Sequence, residues 1–166
     1  MKGEVFVVYI MDEDADCANR VRESEAFHSM QTIGIIRERV FFLQMGKQDV
    51  LDQLHEVIAR LRKISRVVKP DCILGQDCEG GHEAHDLASF CASEVARLER
   101  IQKHVVFPLY HGKPQERLGA RFIEGRETVI ELPLDEEGRR LKTDILNCHA
   151  SQKAHFDGLR RSSPDY

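Results

Sequence analysis

No tryptophan occurs in the 166 residues, and no apolar run approaches the ~20 residues that a membrane helix needs. Met1-Lys2-Gly3 leads straight into an apolar stretch, so no signal peptide is expected. There is no internal repeat, low-complexity tract or linker. The five cysteines are an odd count without paired spacing, which excludes a secreted disulfide scaffold and points to reduced thiols in the cytoplasm. A basic excess is also missing. Twenty-four Lys and Arg face 28 Asp and Glu, a net charge of −4, which argues against a duplex nucleic-acid binder. No Gly-x-Gly-x-x-Gly or other phosphate-cradling loop follows a strand, so a small nucleotide-binding Rossmann domain is disfavoured. What is present is a globular composition, 42% hydrophobic and 31% charged, of a length for one domain spanning 1–166.

Strand and helix patterns alternate along the chain. Glu4–Ile10 is an apolar run without a polar face, as in a parallel strand buried on both sides. Val21 to Ile33 reads as a helix, with Phe27, Met30 and Ile33 on one face and Gly34 as its stop. Val40–Leu43 is a second strand. Asp49 is expected to cap one long helix through Leu51, Leu54, Ile58, Leu61 and Ile64, ended by Pro70. Cys72–Leu74 is a third strand; Leu87, Cys91, Val95, Leu98 and Ile101 mark a helix; Val105–Tyr110 is a fourth strand. Arg121–Ile123 and Thr128–Leu132 are expected to flank a turn at Glu124-Gly125-Arg126-Glu127, and Asp135 to cap a helix running through Leu141, Ile145, Cys148 and Gln152. The pattern predicts an α/β fold, a Rossmann-like three-layer α/β/α sandwich with a mostly parallel sheet. Ligands of such sheets bind beyond the carboxyl ends of the strands, which directs attention to loops 11–19, 44–49, 75–86 and 111–119.

Loop 75–86 is the informative one. Its Gly80 and Gly81 allow close approach to the backbone, and His82 and His85 follow at i and i+3 at a helix start. Imidazoles so spaced can face one point, one binding a metal while the other donates a proton or hydrogen bond. The pair reads equally well as polar residues at a helix N-terminus. Cys78, His82, His85 and Cys91 also offer a Cys₂His₂ set, although Cys91 falls on an apolar stripe and reads better as a core thiol. Cys72 and Cys148 read as packing residues. Most of the other histidines, His155 among them, read as helix-surface residues. His111 is the exception, since it closes the fourth strand beside the expected site.

Glu79–Asp86, EGGHEAHD, matches six of the eight positions of EGGHPDHD and thereby resembles the PIG-L/LmbE-like N-deacetylases. Further matches occur in the same order: Glu4–Met11 resembles that family's second strand, Arg22-Glu23-Ser24-Glu25 with Gly34-Ile35 its Arg-x-x-Glu helix, and Phe42-Leu43 its Phe-Leu-Gly strand end. Lys142 and Ser151-Gln152 resemble its late Lys…Ser-Gln signature. The resemblance implies a zinc-dependent hydrolase, or one using another divalent metal, that removes acetyl from a small-molecule N-acetylated sugar conjugate of the N-acetylglucosamine type. It implies that His85 is a metal ligand, that His82 assists the oxyanion or the leaving amine, and that Arg22 meets sugar hydroxyls. The other reading of Arg22 is a surface residue loosely paired with Glu25.

Two departures stand out. Glu83-Ala84 replaces the Pro-Asp of the motif, removing the aspartate that would tune His82. The family's His-Pro-Asp-Asp-Glu motif, which carries two metal ligands and the general base, is absent. Catalytic zinc ordinarily needs three protein ligands. Asp12, Glu13, Asp14 and Asp16 read as a solvated acidic loop; Asp12 and Asp14 are the expected substitutes if the loop reaches the site, and would favour a harder metal. The first βα unit of the fold, whose strand is central in that family, is therefore expected to be missing. Either the domain is N-terminally incomplete, or Glu4–Ile10 pairs directly with Cys72–Leu74. Exposed strand edges would then favour a homo-oligomer. A non-catalytic carbohydrate-binding or assembly relative is the alternative to an enzyme.

Overall fold

The first strand, β1 (Val7–Asp12), starts later and ends later than its apolar run suggests. The computed structural model describes residues 3–12, 16–112, 118–123 and 128–162. α1 (Asp16–Thr32) follows β1, and β2 (Val40–Gly46) returns parallel to it. Val7 pairs with Val40 and Tyr9 with Phe42, after which the register shifts to Met11 with Met45. Gln44, at φ 52°, sits in that irregularity. The Tyr9 ring stacks on Phe42 at 4.9 Å, and Phe27 of α1 meets Phe42 edge-on at 5.1 Å, so α1 covers this face.

The opposite face carries Val8 and Ile10, which pack into a core of Leu43, Met45, Val50, Val57 and Cys91. That core is closed by α2 (Lys47–Asp52), α3 (Leu54–Val68) and α4 (Glu83–Leu98). The single helix expected after Asp49 is thus two, broken at Gln53 (φ −121°, ψ 34°). Asp49 is not its N-cap but lies inside the first turn, where its carboxylate accepts the Gly46 N–H at 3.2 Å. The break sends Val50 into the core and leaves Leu51 exposed, the reverse of the expected face.

β3 (Cys72–Gln76) and β4 (Lys103–Phe107) form a second parallel pair, in step from Cys72–Lys103 to Gln76–Phe107. Gly75 faces α4, a Cβ there lying 3.4 Å from that of Ala92. The alternating positions face away, and among the described residues no layer covers them: Leu74 is 66% exposed, and Val105, Phe107 and Cys72 are exposed with it. Cys72 is therefore not the packing residue expected.

Among the described residues β1 does not pair with β3, and no strand lies between the two pairs. The expected direct pairing is corrected: α4 packs on β3 and also contributes Cys91 to the core beneath β1 and β2, while among the described residues β1 and β3 each keep an unpaired edge. The expected strand Val105–Tyr110 also divides. Pro108 brings no N–H to a ladder, and beyond it β5 (Tyr110–His111) pairs antiparallel with β6 (Leu118–Gly119). Residues 121–123 and 128–132 are not strands; the turn expected at 124–127 lies outside the described residues. Strand propensity needs an edge to pair with, and here Ile130 and Leu132 are 77% and 82% exposed.

α5 (Glu136–Asn147) starts as expected, with Asp135 accepting the Gly138 N–H at 2.8 Å, and packs on α1. A 3-10 turn at Ala150–Gln152 leads to α6 (Lys153–Ser162). The architecture is α/β with parallel strands, β1 and β2 lying between α1 and the α2–α4 layer and β3 and β4 resting one face on α4. Among the described residues no helix is long and apolar enough to cross a membrane, and the four described cysteines are free.

Candidate functional site

The loop leaving the carboxyl end of β3 is held by its own carboxylates. Asp77 N–H extends the ladder to Phe107 O at 2.9 Å. Asp86 accepts the N–H groups of Glu79 at 2.8 Å and Gly80 at 3.1 Å, closing the loop onto the first turn of α4. The Glu79 side chain is 2% exposed, and its Oε2 accepts the N–H groups of Leu109 and Tyr110, each at 3.0 Å. One buried carboxylate therefore fastens β5 to the loop. Gly81 makes this approach feasible, since a Cβ there would stand 2.4 Å from the Tyr110 carbonyl oxygen.

His82 and His85 are brought together on this support, their rings stacked at 4.7 Å and 28°. His82 is the N-cap of α4: its Nδ1 accepts the Ala84 N–H at 3.2 Å. In a neutral imidazole that bond leaves the proton on Nε2, so His82 can offer a donor outward. His85 is half-buried with its ring against the edge of Tyr110 at 5.3 Å. Burial holds its pKa below the usual histidine range, the charges of His82 and His155 lower it further, and Asp86 opposes them. His85 is thus biased toward the neutral form, in which one ring nitrogen carries a lone pair. His111 borders the site as expected, with Nδ1 3.8 Å from Glu79 Oε1, too long for a direct hydrogen bond.

Arg22 lies on α1 beside the other strand pair. With the Gln152 carboxamide oxygen turned toward α1, Arg22 Nε donates to it at 2.9 Å. Next to it, buried Glu25 accepts Ser151 Oγ at 2.6 Å and Ser151 N–H at 2.8 Å. Arg22 and Glu25 therefore share the work of holding the 3-10 turn that starts α6. Burial opposes ionisation of Glu25, but the Ser151 bonds and the nearby His149 and Arg22 charges keep its pKa below the usual value.

Sequence reasoning overlooked three contributors. Glu79 stands inside the recognised motif, but its partners lie 30 and 31 residues away. Tyr110 and His155 carry no local signal; the charge of His155, 70 positions along the chain, bears on His85 only in the folded chain. The Cys₂His₂ reading is overturned: Cys91 is fully buried with its thiol pushed up to about 11. Asp14 and the side chains of Asp12 and Asp16 lie outside the described residues. Among the described residues no three His, Cys, Asp or Glu side chains converge on one point. The described set offers imidazoles but does not by itself make a catalytic zinc site.

These shifts set an acid limb. The unfolded chain protonates His85 and His149 near 6.5, whereas the folded chain, in which burial also lowers the His149 pKa against the pull of Glu25, resists. The stability involved is present above pH 6.5 and is lost as pH falls below it. Thermal melting followed from about pH 7.5 to about 5 should show Tm falling, with a shallower slope in His149→Gln. A flat profile would refute this account.

No family profile and no curated protein matches the chain. Its structure is similar to the crystal structure of a deacetylase from the biosynthetic pathway of teicoplanin, with a TM-score of 0.59 and 17% sequence identity. The match covers 92% of this chain and 71% of that one. The likeness is one of fold: the α/β arrangement described above is shared with that structure.

Proposed function

We propose that the chain is a hydrolase of the deacetylase class that removes acetyl from an N-acetylglucosamine-type amide of a small-molecule sugar conjugate, in the cytoplasm. The observation that carries this reading is the stacked His82–His85 pair at the carboxyl end of β3, within a deacetylase-like fold. His82, with its proton on Nε2, is suited to donate to a developing oxyanion or a leaving amine. His85, biased toward the neutral form, is suited to ligate zinc or another divalent metal. Asp12 and Asp14 are the expected further oxygen ligands, and Arg22 the residue that meets sugar hydroxyls.

The incomplete ligand set among the described residues favours a second reading, a non-catalytic carbohydrate-binding or assembly relative. Metal content of the purified chain, beside His85→Ala, separates the two. One tightly held ion per chain, lost in the variant together with deacetylase activity on N-acetylglucosamine conjugates, is the expected result. A metal-free chain that binds such conjugates without cleaving them supports the second reading. The unpaired edges of β1 and β3 also favour self-association, which light scattering after size exclusion tests: a strictly monomeric chain would sink it.

A further inference from the structure

The other end of the sheet, at the amino ends of β3 and β4, opens into a cavity of about 740 Å³. Arg66, Lys69, Arg100 and Lys103 line it together with Glu99 and Asp71. Glu99 is already engaged by two guanidiniums, Arg62 at 2.6 Å and Arg66 at 3.0 Å. Lys69, Arg100 and Lys103 make no ion pair with any described residue, so three cations face the opening against Asp71 alone.

Cations near the ends of α3 and α4 have an ordinary use, since each helix C-terminus carries about half a negative charge. Arg66 and Arg97 already serve that purpose from the last turns. Lys69 and Arg100 do something else. Lys69 caps α3 at φ 52°, ψ 59°, and Arg100 follows α4 at φ 57°. Glycine is the unstrained residue in this left-handed region, and a long side chain there costs stability. Two strained positions beside one cavity both carry a cation where helix capping asks only for glycine.

We propose that this cavity binds a small polyanion carrying two or more phosphate groups, with Lys69, Arg100 and Lys103 as the phosphate-contacting residues. Its volume suits a ligand from pyrophosphate to nucleotide size. Two adjacent phosphates match three cations better than one phosphate does. The site is independent of the histidine loop at the opposite strand ends. Because the opening faces solvent, added salt should weaken binding.

The test is calorimetric titration of the full chain with inorganic pyrophosphate at low ionic strength. The wild type should bind at one saturable site, with affinity reduced about tenfold or more in a Lys69→Gly/Arg100→Gly double variant and in Lys103→Gln. Arg140→Gln, a charge change on α5, should bind as the wild type does. The double variant should melt at the wild-type temperature or above, since glycine relaxes both positions. Absence of saturable binding to the wild type, equal binding by the variants, or an equal loss in Arg140→Gln would overturn the proposal. So would sedimentation with phosphatidylglycerol vesicles by a chain that ignores pyrophosphate.

Discussion

Gly81→Ala should cost about 2–4 kcal/mol in urea unfolding and should detach the histidine loop from β5. A Cβ at this position would meet the Tyr110 carbonyl oxygen at 2.4 Å and the Tyr110 carbonyl carbon at 3.3 Å. His111 Cα would stand at 3.2 Å, and all three are backbone atoms, with no flexible side chain to swing aside, so β5 itself must move. That movement pulls Leu109 and Tyr110 N–H away from Glu79, whose carboxylate is buried. Each lost bond to a buried charged acceptor is worth about 1.5–3 kcal/mol, part of which relaxation recovers. The Tyr110 ring leaves His85 in the same step, so the imidazole resonances of His85 should shift in the variant. Gly158→Ala serves as the control. It lies within α6 with nothing within 4 Å of a Cβ, and should leave stability unchanged or raise it by about 0.5–1 kcal/mol. Equal stability of the two variants would mean that the Gly81–Tyr110 approach is not a structural constraint.

The contrast between these glycines shows where sequence reading succeeds. Gly81 announces a close approach by standing next to another glycine in a loop after a strand, but the element that approaches is more than two dozen positions away. The strands were legible for a similar reason. A parallel strand packed on both faces is apolar throughout, so β1 needed no partner to be recognised. The break at Gln53 was not legible, because the leucine and isoleucine spacing runs through it and only the core decides that Val50 turns inward. Thr128–Leu132 misled in the opposite sense: its residues favour a strand, yet among the described residues it pairs with none and its Ile130 and Leu132 stay exposed. In the site, His82 and His85 stand out by spacing and resemblance. Glu79, Tyr110 and His155 acquire their roles only when distant segments meet. The two motif fragments around Arg22 and Ser151 are an intermediate case, visible separately and joined only by folding.

That junction carries the second large effect. Glu25→Ala should destabilise the chain by about 2–4 kcal/mol, because it removes a buried carboxylate that accepts two short bonds from Ser151. The Ser151 N–H is left without its acceptor, and the turn 150–152 keeps only the Arg22–Gln152 bond of its two ties to α1. α6 follows that turn, so the loss should reach His155 and through it the environment of His85. Glu25→Gln keeps an oxygen for Ser151 and should recover roughly half of the loss. The pH dependence distinguishes this role from simple packing. The Glu25 pKa is lowered in the folded chain, so its stabilisation is fully present above the ordinary carboxyl value of 4.5 and disappears as pH falls through the lower folded value. Wild type should therefore lose stability in two stages on acidification, the histidine stage below pH 6.5 and the Glu25 stage below pH 4.5. In Glu25→Ala the lower stage should shrink, leaving the part that belongs to Glu99 and Glu94, whose carboxyls the neighbouring Arg66, Arg62 and Arg97 also hold below the usual value. The upper one should steepen, because His149 loses the nearby carboxylate that favours its charged form and its pKa falls further from that of the unfolded chain. Urea midpoints measured at a series of pH values would show both changes, and an unaltered lower stage would assign the acid sensitivity to other carboxylates.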